Sequence, residues 1–121
     1  MIKLDSFELG FFECALWSSN DESDEYGGEP LDKNYEVGDI AEETLLKLKA
    51  ECDSFREENA ELLAQAGDDS QNGHDFWLTR NGHGAGFWDR GYGPVGDKLS
   101  DACKKYNEVN LYVQDGQVIT D

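Results

Sequence analysis

His74, Asp75, His83 and Asp89 are the side chains most suggestive of chemistry, with two imidazoles and two carboxylates inside one short segment. An imidazole beside a carboxylate can exchange protons with a substrate, and the same groups can ligate a metal ion. Their spacing opposes both uses. If residues 74–83 form an extended arm, the two imidazoles are separated by roughly 30 Å at ~3.3 Å per residue. Gly82-His83-Gly84-Ala85-Gly86 is glycine-rich enough to bring backbone amides against a phosphate. It lacks the Lys-Ser/Thr ending of a P-loop, however, and runs into Phe87-Trp88 instead of a helix, so the reading is a turn that needs positive φ. Both histidines fall in this one segment, and no Ser-His-Asp or Cys-His arrangement can be assembled. The expectation is a protein without enzymatic activity, metal or cofactor. Arg80 and Arg90 stand out because cations are scarce. Pairing with carboxylates of the same chain is the first reading, and anion or partner binding through Arg80, His83 and Arg90 the second.

The chain has 121 residues, with 27 Asp and Glu against 10 Lys and Arg, for a formal net charge of −17. This balance disfavours direct contact with nucleic acid or anionic membranes, both of which are bound through Lys and Arg. Residues 5–69 hold 20 of the acids and only 4 of the bases, whereas residues 70–121 hold 7 and 5. One domain spanning 1–121 is expected, with an acidic helical half (5–69) and a near-neutral half (70–121). Self-repulsion at this charge opposes folding, and solubility needs a magnitude of only about 2–8. A cationic partner would explain the excess. Its contact residues are then Asp21, Glu22, Asp24, Glu25 and Glu29 in an acidic loop and Glu51, Glu57, Glu58 and Glu61 on a helix. Glu57 and Glu61, one helical turn apart, are spaced by about 6 Å, near the separation of successive phosphates on a nucleic-acid strand.

Elements must position these groups. Asp5-Ser6-Phe7-Glu8 is a capping box ahead of Leu9, Phe12 and Leu16, and predicts a helix over about 6–18. Asp39-Ile40-Ala41-Glu42 repeats the signature, and Leu45, Leu48, Cys52, Phe55, Leu62 and Ala66 then mark a long helix over 40–66. With Asn59 at an a-type position, that stripe can face either the chain's own core or a second copy in a homodimer. Stretches 21–36 and 67–73 read as loops. Phe76-Trp77-Leu78-Thr79 and Phe87-Trp88 suggest the arms of a hairpin. A turn at Gly82-His83 sets Trp77 opposite Trp88 and Asp75 opposite Arg90, and is preferred over a turn at Asn81-Gly82, which loses both pairs. Pro94 opens a third helix to about Asn107, and Asp115-Gly116 joins a second hairpin. The order α-α-β-β-α-β-β predicts an α+β fold, a small antiparallel sheet of about four strands from two hairpins covered by three helices. Cys14, Cys52 and Cys103 are odd in number and fit neither a disulfide framework nor a zinc motif, so reduced, buried thiols are expected. No apolar run is long enough to span a membrane, and Met1-Ile2-Lys3-Leu4-Asp5 lacks the plan of a signal peptide, so a cytosolic protein is expected.

The run from His74 to Gly91, HDFWLTRNGHGAGFWDRG, resembles a segment of small acidic proteins of unknown function encoded by tailed bacteriophages. Glu13-Cys14-Ala15-Leu16-Trp17-Ser18-Ser19, Glu29-Pro30-Leu31-Asp32 and Asn110-Leu111-Tyr112-Val113 look like the same family. The resemblance implies a phage origin and expression in the cytoplasm of a host bacterium; it carries no site residue with it. The resulting expectation is a DNA-mimicking inhibitor of a basic, nucleic-acid-binding host protein of defence or repair. A small enzyme or ligand-binding domain built on the His/Arg/aromatic segment is the alternative.

Overall fold

The structure, a computed structural model, describes residues 3–21, 29–82 and 85–120. Helix α1 (Ser6–Ser18) has the bounds that its capping box predicts. The Glu8 amide donates to Asp5 Oδ1 and the Asp5 amide donates to Glu8 Oε1, both at 2.9 Å. Strands β1 (Asn20–Asp21) and β2 (Glu29–Pro30) form a short antiparallel ribbon after it.

The long helix expected over 40–66 is two helices, α2 (Glu42–Glu58) and α3 (Ala60–Ala64). Asn59 leaves helical geometry at φ −125°, and its side-chain amide donates to the Phe55 carbonyl at 2.9 Å. A short polar side chain that bonds to its own backbone competes with helix propagation, so Asn59 ends α2 instead of occupying a coiled-coil seam. Leu45, Leu48, Cys52 and Phe55 are covered by the chain's own core. Asp39 does not cap α2 either. It accepts from the Glu36 amide at 2.8 Å to close a 3-10 turn over Val37–Asp39.

The largest departure from the sequence reading is α4 (Asp69–Arg80), a helix where a loop and a hairpin arm were expected. Asp68 caps it by accepting from the Gln71 amide at 2.8 Å, inside the stretch read as loop. Asn81-Gly82 ends it. The Asn81 side chain donates to the Trp77 carbonyl at 2.9 Å, and Gly82 takes φ 68°, the left-handed geometry that favours glycine after a helix. The same dipeptide serves hairpin turns and helix ends, which is why local chemistry misassigned it. Phe87–Asp89 is a 3-10 turn, so Trp77 and Trp88 are not cross-strand partners; Trp77 is buried and Trp88 is exposed.

Helix α5 (Pro94–Ala102) begins with proline as predicted and tightens into a 3-10 turn at Cys103–Lys105. Strands β3 (Tyr112–Gln114) and β4 (Gln117–Ile119) form the expected Asp115-Gly116 hairpin, with φ 52° and 78° at its two turn residues. Ile40 bridges to Val118 and thereby ties the hairpin to the start of α2. The predicted four-stranded sheet with three helices is therefore replaced, among the described residues, by five α-helices and two separate two-stranded ribbons.

The core centres on the crossing of α1 and α4. A Cβ at Gly73 would fall on the Phe7 carbonyl oxygen, and one at Gly10 on that of Ser70, so the two helices meet backbone to backbone. Aromatic rings fill the space around this seam. Phe55 stacks on Phe76 at 4.2 Å between centroids, Phe11 meets Trp77 edge-on at 5.4 Å, and Tyr106 meets Phe76 edge-on at 5.2 Å. The Trp77 indole, buried at the same seam, donates to Ser18 Oγ at 2.6 Å.

Candidate interaction surface

Two cations of the acidic half, Lys49 and Arg56, sit inside one carboxylate cluster of that half. Glu8 on α1 is buried at 2% exposure, and Lys49 Nζ lies 3.1 Å from it. The same ammonium is 2.9 Å from Asp53 Oδ2. Arg56 bridges Asp5 and Asp53 with one guanidinium nitrogen on each at 2.7 Å. Lys49, Asp53 and Arg56 recur at helical spacing on α2, so one face of that helix presents all three to the N-terminus of α1. Burial pushes the Glu8 carboxyl above its ordinary value. Burial acts the same way on Asp53, but its contacts with Glu8, Lys49 and Arg56 outweigh that and hold it down at about 2. Asp5 is also lowered, where the Glu8 amide and Arg56 overcome the effect of burial.

Arg80 and Arg90 both pair internally, on different partners. Arg90 donates to the fully buried Asp75 at 2.8 Å through Nη2. This is the pair the hairpin reading anticipated, formed between α4 and the segment after a 3-10 turn instead of across two strands. Gln71 donates to the same carboxylate at 3.0 Å. Arg80, five residues further along α4, reaches Glu51 at 2.6 Å and the Asn107 carbonyl at 2.8 and 3.0 Å. The two arginines thus belong to separate environments, and His83 lies outside the described residues. His74 is half-exposed, 3.9 Å from Asp75 and 6.0 Å between ring centroids from the exposed Trp17. Among the described residues, no three His, Cys, Asp or Glu side chains come together as a metal site. The three cysteines are free and buried as expected, and burial pushes the Cys14 and Cys103 thiols up to about 12. Such thiols carry almost no thiolate at neutral pH.

The carboxylates assigned to a contact face separate by environment. Glu22, Asp24 and Glu25 lie outside the described residues, and Asp21 is placed as the end of β1 without its side chain. Glu29 is exposed and held by Lys33 at 2.8 Å. Glu51 turns inward to Arg80, and Glu58 pairs with Lys105. Glu57 and Glu61 are exposed, on either side of the break at Asn59, so the regular one-turn row expected of a continuous helix is interrupted between them.

Sequence reasoning missed one feature. Arg80 forms a wall of a cavity of about 400 Å³ that is also lined by Lys47, Glu51, Lys105, Tyr106 and Glu108. These residues are spread over three helical segments and a loop, so no local spacing announces them. No described helix is long and apolar enough to cross a membrane. Comparison with protein-family models, curated proteins and solved structures finds no match to this chain.

Proposed function

We propose that this chain is a non-enzymatic, phage-encoded interaction protein that binds a basic, nucleic-acid-acting host protein through its carboxylate surface and so inhibits it. One observation carries the reading. Lys33, Lys49, Arg56, Arg80, Arg90, Lys104 and Lys105 are all engaged in ion pairs with carboxylates of the same chain. Glu13, Glu42, Glu57, Glu61 and Asp69 stand exposed outside these pairs. Most cations are therefore turned toward the chain's own acids, and the uncompensated charge faces outward.

A surface of this kind accelerates encounter with a cationic groove and rejects polyanions. It stands in for a nucleic-acid backbone by sign and density of charge. The break at Asn59 means that a strict phosphate-like repeat is no part of the support. The resemblance to phage-encoded acidic proteins agrees with a bacterial target. Salt should weaken the complex, because exposed charges more than about 8 Å apart are largely screened at physiological ionic strength.

The test is capture from bacterial lysate at low and high salt, followed by charge reversal of Glu57 and Glu61 together with Asp21, Glu22, Asp24 and Glu25 to Lys. Recovery of a basic nucleic-acid-binding protein that is lost with salt and with reversal is the expected result. A partner held equally well by the reversed variant would overturn the proposal.

A further inference from the structure

Three of the ten basic residues of this strongly acidic chain, Lys47, Arg80 and Lys105, line one cavity of about 400 Å³. That volume lies within the range of small-molecule sites. The Arg80 side chain is 2% exposed and forms part of the cavity wall. Two aromatic rings pack against it, with the guanidinium carbon 5.2 Å from the Phe76 centroid and 5.4 Å from that of Tyr106.

Nε and Nη2 converge on the Asn107 carbonyl, and Nη2 also meets Glu51. Nη1, with two N–H donors, is buried without a hydrogen-bond partner. Leaving a buried donor unsatisfied is costly, and more so when the group is charged. Internal pairing explains Glu51 opposite Arg80 and Glu58 opposite Lys105, but it leaves Nη1 without an acceptor. The wall around it is anchored, since Asn81 Oδ1 accepts from the Val109 amide at 2.7 Å and Thr120 Oγ1 donates to the Asn110 carbonyl at 2.8 Å. A planar guanidinium edge prefers oxygen acceptors lying in its own plane, such as those of carboxylate or phosphate groups.

We infer that this cavity binds a small molecule through a carboxylate or phosphate group, with the group seated against Arg80 and its charge balanced by Lys47 and Lys105. The inference is independent of the acidic-surface reading, since neither Glu57 nor Glu61 lines the cavity. The chain as a whole carries a net charge of −17, which repels anions, whereas three cations line this cavity against two carboxylates, Glu51 and Glu108.

The test is titration of the ¹⁵N-labelled chain with sodium succinate and, separately, with sodium phosphate, against sodium chloride at matched ionic strength. Saturable shifts confined to the Arg80 Nε–H and the amides of Asn107, Val109 and Asn110 are expected with at least one probe. Saturation by succinate alone identifies a carboxylate ligand, and saturation by phosphate alone a phosphate ligand. The double variant Lys47→Gln/Lys105→Gln, which alters exposed side chains, should weaken that binding about tenfold or more. Arg80→Lys, which removes the planar fork, should abolish it; should that variant fail to fold, the double variant decides. Shifts that grow linearly and match those from chloride, or saturable shifts unchanged in the double variant, would overturn the inference and leave the Arg80 edge to water.

Discussion

The crossing of α1 with α4 and the outward side of α2 and α3 lie in one small molecule and obey opposite rules. At the crossing, two glycines let backbones touch, and the surrounding positions are buried rings. On the outward side, exposed carboxylates such as Glu57 and Glu61 touch nothing that fixes their identity. The first region holds the fold by shape and tolerates almost no change of volume. The second tolerates almost any change that keeps the helix. A surface so loosely constrained by folding, yet exposing Glu42, Glu43, Glu57, Glu58 and Glu61 against the one exposed cation of these two helices, Lys47, is free to be shaped by what it meets.

The contrast breaks most visibly at Gly73. Gly73→Ala places a methyl group on the Phe7 carbonyl oxygen, and a backbone atom cannot rotate away as a side chain would. Overpacking of cores costs typically 1–3 kcal/mol, and here two helices must separate, so a loss of about 3 kcal/mol or more in urea denaturation is expected. Gly38→Ala is the matching control, because nothing lies within 4 Å of a Cβ there. It should stay within about 0.5 kcal/mol of the parent. Equal stability of the two variants would show that the α1–α4 crossing can open without penalty.

This crossing is also where the sequence was hardest to read. Signals that act within one turn were legible: the Asp5/Glu8 capping box, Pro94 at a helix start and Asp115-Gly116 in a hairpin. Helix α4 was not, because Asn72, Gly73, Asp75, Phe76, Trp77, Leu78 and Arg80 are buried together and leave no polar face to mark a helical period. A run of rings between glycines then resembles strands. The Asp75–Arg90 pair was anticipated from a hairpin register, so the right partners came through the wrong backbone geometry. Of the proposed contact residues, the exposure of Glu57 and Glu61 could be read from helical phase. The inward turn of Glu51 could not, since its partner Arg80 comes from the misassigned segment. The cavity at Arg80 depends on chain segments that meet only in three dimensions.

The charged junction between α1 and α2 should respond at an intermediate level, through acid. The Asp53 carboxyl is held at about 2 against an ordinary value of 3.8, so it binds protons less readily when folded than when unfolded. A lowered carboxylate contributes stability that is present above the unfolded value and is lost as pH falls from 3.8 toward 2. Asp5, also lowered, acts in the same direction. Glu8 acts in the opposite sense, because its raised value means that ionisation opposes folding, and protonation on the way down removes that opposition. The net expectation is a melting temperature that falls by a few degrees through the pH 4–2 window, with a shallower fall in Asp53→Asn. Identical pH profiles for the variant and the parent would remove Asp53 from the account.

The smallest change in stability is expected where the largest change in binding is proposed. Glu57→Lys/Glu61→Lys alters two exposed side chains that sit outside the ion pairs, and surface substitutions of that kind usually fall within about 0.5 kcal/mol. The shift should be toward greater stability, because the net charge moves from −17 by four units and self-repulsion declines. Association with a cationic partner should slow sharply at low salt, with the difference from the parent shrinking as salt is added. A variant that melts like the parent and associates like the parent at low salt would show that folding and binding are both indifferent to this face. The charge excess there would then serve no contact, and the distinction between a constrained seam and a working surface would reduce to one between packed and unpacked residues.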